Sequence, residues 1–146
     1  MRRHAMGPIF KILLAEDDEG IREAIFEILV EEGHEVTVAR DGEDALTCLE
    51  RKKFDLIMTD YKMPKMTGTQ LIEWCKKHSV KSQVVFMTAN MKALLLDDVI
   101  KKFPAKIIEK PMTLDDILDA VKFAQDNRKE AFSKFIQKNS LDMKYA

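Results

Sequence analysis

Hydrophobic and polar positions alternate along this chain in two rhythms. Short apolar runs (Ile12 to Ala15, Leu56 to Thr59, Val84 to Met87, Ile107-Ile108) are separated by longer stretches in which apolar residues return every three or four positions. From about Glu19 to Glu32, Ile21, Ala24, Ile25, Ile28 and Leu29 follow the i, i+3, i+4, i+7, i+8 spacing of an amphipathic helix, and Gly33 supplies a stop. Glu35 to Ala39 alternates polar and apolar residues, as a half-exposed strand does. Asp41-Gly42 turns the chain into a second helix carrying Ala45, Leu46 and Leu49. A third helix spans about Thr69 to His78, with Leu71, Ile72 and Cys75 on one side. Gln83 to Met87 reads as a strand, Met91 to Phe103 as a fourth helix, Lys106 to Glu109 as a fifth strand, and a last helix begins near Thr113. Five strand–helix units of this length predict an α/β fold, a doubly wound parallel sheet with five helices.

Composition narrows the function classes. The 146 residues suit one domain with a real core. A formal net charge of −1 gives no bulk attraction to nucleic acid or an anionic membrane, so neither is expected as a direct partner. No apolar stretch approaches the roughly 20 residues of a membrane span, and the start lacks the apolar region of a signal peptide. A cytoplasmic protein is expected. Cys48 and Cys75 fall in helical segments without CxxC spacing and read as reduced thiols. His4, His34 and His78 are scattered without ligand spacing and read as exposed or incidental.

The chemistry lies where the apolar runs stop. The first predicted strand ends at Glu16-Asp17, the third at Asp60, the fourth at Thr88, and the fifth at Glu109-Lys110-Pro111. In a parallel sheet all of these reach the C-terminal edge, where open α/β sheets bind ligands. Taken singly each has an ordinary explanation: an acidic pair suits a helix N-terminus, Thr88 can cap the next helix, and Lys110 can be a surface lysine. Their convergence favours a site. Carboxylates about 4 Å apart repel by roughly 4 kcal/mol per pair at an effective dielectric of 20, so the cluster asks for a divalent ion. Hard oxygen ligands with retained water suit Mg²⁺. The set fits a Mg²⁺-dependent phosphoryl acceptor with Asp60 as the group modified.

Four motifs, in this order and at these spacings, resemble the receiver domain of two-component response regulators. They are Lys11 to Glu19 (KILLAEDDE), Asp55 to Gly68 (DLIMTDYKMPKMTG), Met87-Thr88-Ala89 and Glu109-Lys110-Pro111, and the resemblance covers about residues 10–125. It implies a flavodoxin-like sheet in the order 2-1-3-4-5. It also implies that Asp60 is the phosphoacceptor, with Thr88 as the switch hydroxyl and Lys110 as the cation on the phosphoryl group. The metal set would be Asp17, Asp60, Glu16 through water, and the backbone carbonyl of Lys62. Asp18 competes with Glu16 as the second acid, but the motif places it one step into the loop that opens the helix. The implied partners are a sensor histidine kinase or a histidine phosphotransfer protein, and a downstream protein target or a missing output domain. A homodimer is compatible with the resemblance. Such a module catalyses only its own phosphorylation and dephosphorylation, and signals through the surface shared by its fourth helix, fifth strand and last helix.

Two features depart from the family. Ile107 stands three residues before Lys110, where an aromatic ring is usual, and Phe103-Pro104-Ala105 replaces the usual Gly-Ala turn. Residues 1–8 are expected to be a flexible N-terminal segment or an expression remnant, 9–125 the receiver, and 126–146 a helical extension. Leu114, Leu118, Val121, Gln125, Arg128, Phe132 and Phe135 recur at alternating 4 and 3 spacing, so the last helix either continues or ends near Gln125. The extension is too short for an output domain. A stand-alone receiver or one cut from a longer regulator are both open. A pseudo-receiver that binds partners without phosphorylation is the binding-module alternative, though such domains typically lose an acid or the lysine. A phosphatase of the aspartyl-phosphate type is the enzymatic one, but Asp60-Tyr61-Lys62 lacks the second Asp of DxDx[TV].

Overall fold

The computed structural model describes residues 7–103 and 105–127. Five parallel strands, β1 (Lys11–Ala15), β2 (Glu35–Ala39), β3 (Leu56–Asp60), β4 (Gln83–Thr88) and β5 (Lys106–Glu109), form one sheet in the order β2-β1-β3-β4-β5. This is the flavodoxin-like winding that the resemblance implies, and its switch point is beside β1. The helices are α1 (Glu19–Glu31), α2 (Gly42–Arg51), α3 (Gly68–Lys77), α4 (Met91–Leu95), α5 (Asp98–Lys101) and α6 (Leu114–Asp126).

Strand alternation sorts the core into two layers. Leu13, Ala15, Ile57, Val84 and Phe86 pack on one face with Ala45, Leu71, Ile72, Leu94 and Ile100 from α2 to α5. Ile12, Leu14, Leu56, Met58, Val85 and Met87 pack on the other with Ile25, Leu29, Ile117 and Val121 from α1 and α6. The middle strands are therefore buried on both sides, which is why they read as continuous apolar runs. At the N-terminal edge, Gln83 donates its side-chain amide to Ala124 O at 2.6 Å, and Gln125 donates to Pro8 O at 2.8 Å.

Side-chain caps set the helix starts. Asp18, Asp41, Thr67 and Thr113 each accept from a backbone N–H three residues on, the last two in capping boxes.

The expected single helix over 91–103 is two short ones, giving six helices among the described residues rather than five. Asp97 is the cause. Its carboxylate accepts from the N–H groups of Val99 and Ile100 at 2.9 and 3.3 Å, starting a new helix inside the old pattern. His34 also differs from expectation. It is buried, and its Nδ1 accepts from Phe10 N–H at 3.0 Å. His4 and the tail after residue 127, including the question of a longer last helix, lie outside the described residues. Among the described residues no helix is long and apolar enough to cross a membrane.

Candidate functional site

Four of the five strands, β1, β3, β4 and β5, deliver polar residues at or just beyond their ends to one edge. Glu16 extends the ladder beyond β1, its N–H donating to Ala39 O at 3.1 Å, and its side chain is fully buried. Asp17 follows, exposed. Asp18 turns away as the α1 cap, accepting from Ile21 N–H at 2.9 Å, while its own N–H donates to Glu16 Oε2 at 3.3 Å. Arg22 reaches back from α1 and donates to the Glu16 carbonyl at 2.9 Å. Asp60 is the last residue of β3 and is 8% exposed. The chain leaves it closely wrapped: a Cβ on Gly68 would stand 2.6 Å from Asp60 O, so only glycine fits there.

Lys110 follows β5. Its N–H donates to Thr88 O at 2.7 Å, and the next peptide bond, to Pro111, is cis. Its ammonium bonds Asp60 Oδ2 at 3.0 Å and Glu16 Oε1 at close range. Single carboxylate oxygens of Glu16, Asp17 and Asp60 lie within 4.8 Å of one another.

The electrostatics follow from this crowding. Burial pushes the Glu16 carboxyl up to about 7; Lys110 pulls it down, and Asp60 adds to the rise. Burial works against the Lys110 ammonium, yet its bonds to Glu16 and Asp60 outweigh it and hold the group above its usual value. Lys110 thus neutralises part of a cluster that still carries more negative than positive charge. Three oxygen donors of this kind fit a hard divalent cation such as Mg²⁺.

The remaining expected residues stand at the rim. Thr88 ends β4 and is 2% exposed; its Oγ1 accepts from Asn90 N–H at 2.9 Å rather than bonding Asp60. Lys62 lies two residues after Asp60 with its side chain exposed. Sequence reasoning missed Arg22, Tyr61, Thr69 and Asp97. Asp97 falls in a stretch that reads as one helix, so its position in the sequence alone does not mark the break.

The profile of the family described as "Response regulator receiver domain" matches residues 12–122. The chain belongs to the response regulator receiver family. It is 30% identical over 112 residues to sporulation initiation phosphotransferase F of Bacillus subtilis, which covers 77% of this chain and 90% of that protein. It is 31% identical over 128 residues to transcription factor SKN7 of Candida albicans, covering 82% of this chain and 23% of that one. The chain spans between 23% and 50% of the length of that relative and two further regulators. Among solved structures, the receiver domain of Francisella response regulator 1452 superposes with a TM-score of 0.75 at 27% identity, covering 82% of this chain and 99% of that one. Receiver domains of this family are signalling modules of two-component systems.

Proposed function

We propose that Asp60 accepts a phosphoryl group from a phosphohistidine donor, a sensor histidine kinase or a histidine phosphotransfer protein, and that the modified receiver signals to a protein target. The observation that carries this reading is the Lys110 ammonium bonded to both Glu16 and Asp60 at the strand edge, with Asp17 within ligand reach. A carboxylate oxygen of Asp60 attacks phosphorus as the N–P bond breaks, giving an aspartyl phosphate and a histidine that takes up a proton. Asp17, Asp60, the Lys62 carbonyl and Glu16 through water would hold Mg²⁺, which supplies charge neutralisation to the transferring group. Lys110 neutralises a further phosphoryl oxygen, and Thr88 donates to another once it turns from Asn90. In this reading the module catalyses only its own phosphorylation and dephosphorylation.

Two charge-assisted bonds, each about 1.5–3 kcal/mol, approach the roughly 5.5 kcal/mol needed to move a two-state element from 1:99 to 99:1. The proposed output is the surface of α4, α5, β5 and α6, where Leu95, Leu96 and Leu114 are 54%, 67% and 50% exposed. Residues 9–125 are taken as the receiver and 126–146 as an extension.

Intact mass tests the reading. Treatment with acetyl phosphate and Mg²⁺ should add one phosphate to the wild type and none to Asp60→Asn. Labelling that persists in the variant would name the wrong acceptor, and no labelling of either would favour a binding module that works without phosphorylation.

A further inference from the structure

Asp97 stands where two short helices meet, and its carboxylate is bonded on both oxygens. Oδ1 accepts from Val99 and Ile100 N–H, while Oδ2 accepts from the Tyr61 hydroxyl at 2.7 Å and the Thr69 hydroxyl at 2.9 Å. These donors hold the carboxyl below its usual value against the opposing effect of burial. Tyr61 directly follows Asp60. Its N–H donates to Met87 O at 2.8 Å, its ring meets Phe86 edge-on at 6.3 Å, and it is 9% exposed. One carboxylate therefore ties the exit of β3, the first turn of α3 and the start of α5 together.

The segment from Asn90 to Lys101 is held at two points. At its start, Asn90 donates its N–H to Thr88 Oγ1 at 2.9 Å and caps Ala93 N–H at 3.0 Å. Seven residues on, the Asp97 bonds hold it to Tyr61 and Thr69. If the Thr88 side chain swings toward a phosphoryl group on Asp60, its oxygen is carried away from Asn90 N–H, and the second hold is what then restrains the segment. Ile107, a branched aliphatic, has no polar group that can join or break such a tie.

We propose that Asp97, through Tyr61 and Thr69, is a positioning residue that sets the phosphorylation equilibrium of Asp60 by holding the 90–101 segment in its unphosphorylated place. The inference rests on Asp60 as the acceptor. Coupling between the two sites is reciprocal. If the tie favours the unmodified arrangement, removing it strengthens binding of a phosphoryl mimic by the same factor.

Beryllofluoride in Mg²⁺, titrated by calorimetry, tests this on wild type, Tyr61→Phe and Thr69→Val. Hydrogen exchange of residues 94–103 is followed without the mimic. Trp74 fluorescence is a second readout, because that ring lines a groove with Val99 of this segment. Both variants should bind beryllofluoride about fivefold tighter or more, and residues 94–103 should exchange faster. A residue with a purely structural role would lower thermal stability and leave the affinity unchanged. Unchanged or weaker binding in both variants overturns the proposal; Thr69→Val keeps the Tyr61 ring in place and guards against a folding defect in Tyr61→Phe. Failure of the wild type to bind beryllofluoride overturns the acceptor reading, and this inference with it.

Discussion

The ammonium of Lys110 lies 3.0 Å from Oδ2 of Asp60, across fifty residues of sequence and the full width of β4. Parallel winding makes this meeting possible, since every strand releases its last residue at the same edge. The pair also defines the first prediction. Lys110→Ala should slow phosphoryl uptake by acetyl phosphate by about a hundredfold, the usual loss when one preorganised electrostatic group is removed. Circular dichroism should stay near wild type, because the buried Glu16 carboxyl, already raised to about 7, takes up a proton when the lysine is gone. Uptake within a few-fold of wild type would remove Lys110 from the proposed chemistry.

Asp17 and Asp18 are neighbours with different tasks. Asp18 caps α1, and an Asn there keeps the cap, whereas Asp17 belongs to the carboxylate group. Asp17→Asn should weaken Mg²⁺ binding tenfold or more, on the order of 1.4 kcal/mol, and Asp18→Asn should scarcely change it. Calorimetry compares the two, and equal losses would refute the division of labour.

Thr88→Ala removes the acceptor of the Asn90 N–H bond and, in the proposed mechanism, the hydroxyl that donates to the phosphoryl group. Asp60 should still gain one phosphate by mass. The exchange changes that beryllofluoride causes in residues 88–103 should mostly vanish. Changes centred on α6 in the wild type would place the switch elsewhere.

Gly68 approaches the backbone of its own acceptor strand, with Asp60 O at 2.6 Å and the Phe86 ring at 3.1 Å from a would-be Cβ. Gly68→Ala should cost about 1–3 kcal/mol, seen as a lower urea midpoint, and should slow phosphorylation because Asp60 shifts. A midpoint equal to wild type would contradict the packing.

His34 makes stability depend on pH. Burial lowers its pKa from 6.5, and its Nδ1 accepts a backbone bond only when unprotonated. The folded state therefore takes up this proton less readily than the unfolded chain. The stabilisation is fully present above the unfolded value and is lost as pH falls below it through the folded one. As pH rises to and through the ordinary value of 6.5, the wild type should gain stability more steeply than His34→Gln, by urea unfolding at each pH. Parallel slopes would mean the ring titrates alike in both states.

The sheet was legible because β3 and β4 are buried on both faces, so their residues form unbroken apolar runs that end sharply in Asp60 and Thr88. The break between α4 and α5 was not. Leu94, Leu95 and Leu96 are equally apolar, yet only Leu94 is buried, and hydrophobicity alone cannot tell a core leucine from an exposed one. The members of the cluster could be named from strand ends, but the bridging of two carboxylates by Lys110 depends on side-chain reach. The Tyr61–Asp97 bond joins residues 36 apart in sequence, each of which looks like an ordinary loop or helix residue. His34 was misjudged for the same reason, since its partner Phe10 lies 24 residues away.

The bond from Gln125 to Pro8 closes the described unit at the edge of the sheet away from Asp60. A five-residue strand spans roughly 17 Å, so these two residues stand about that far from Asp60. Gln125 and Pro8 thus mark the pole of the described unit opposite the carboxylates of Glu16, Asp17 and Asp60, so the contact that pins the end of α6 and the cluster at the strand ends are built from separate parts of the chain.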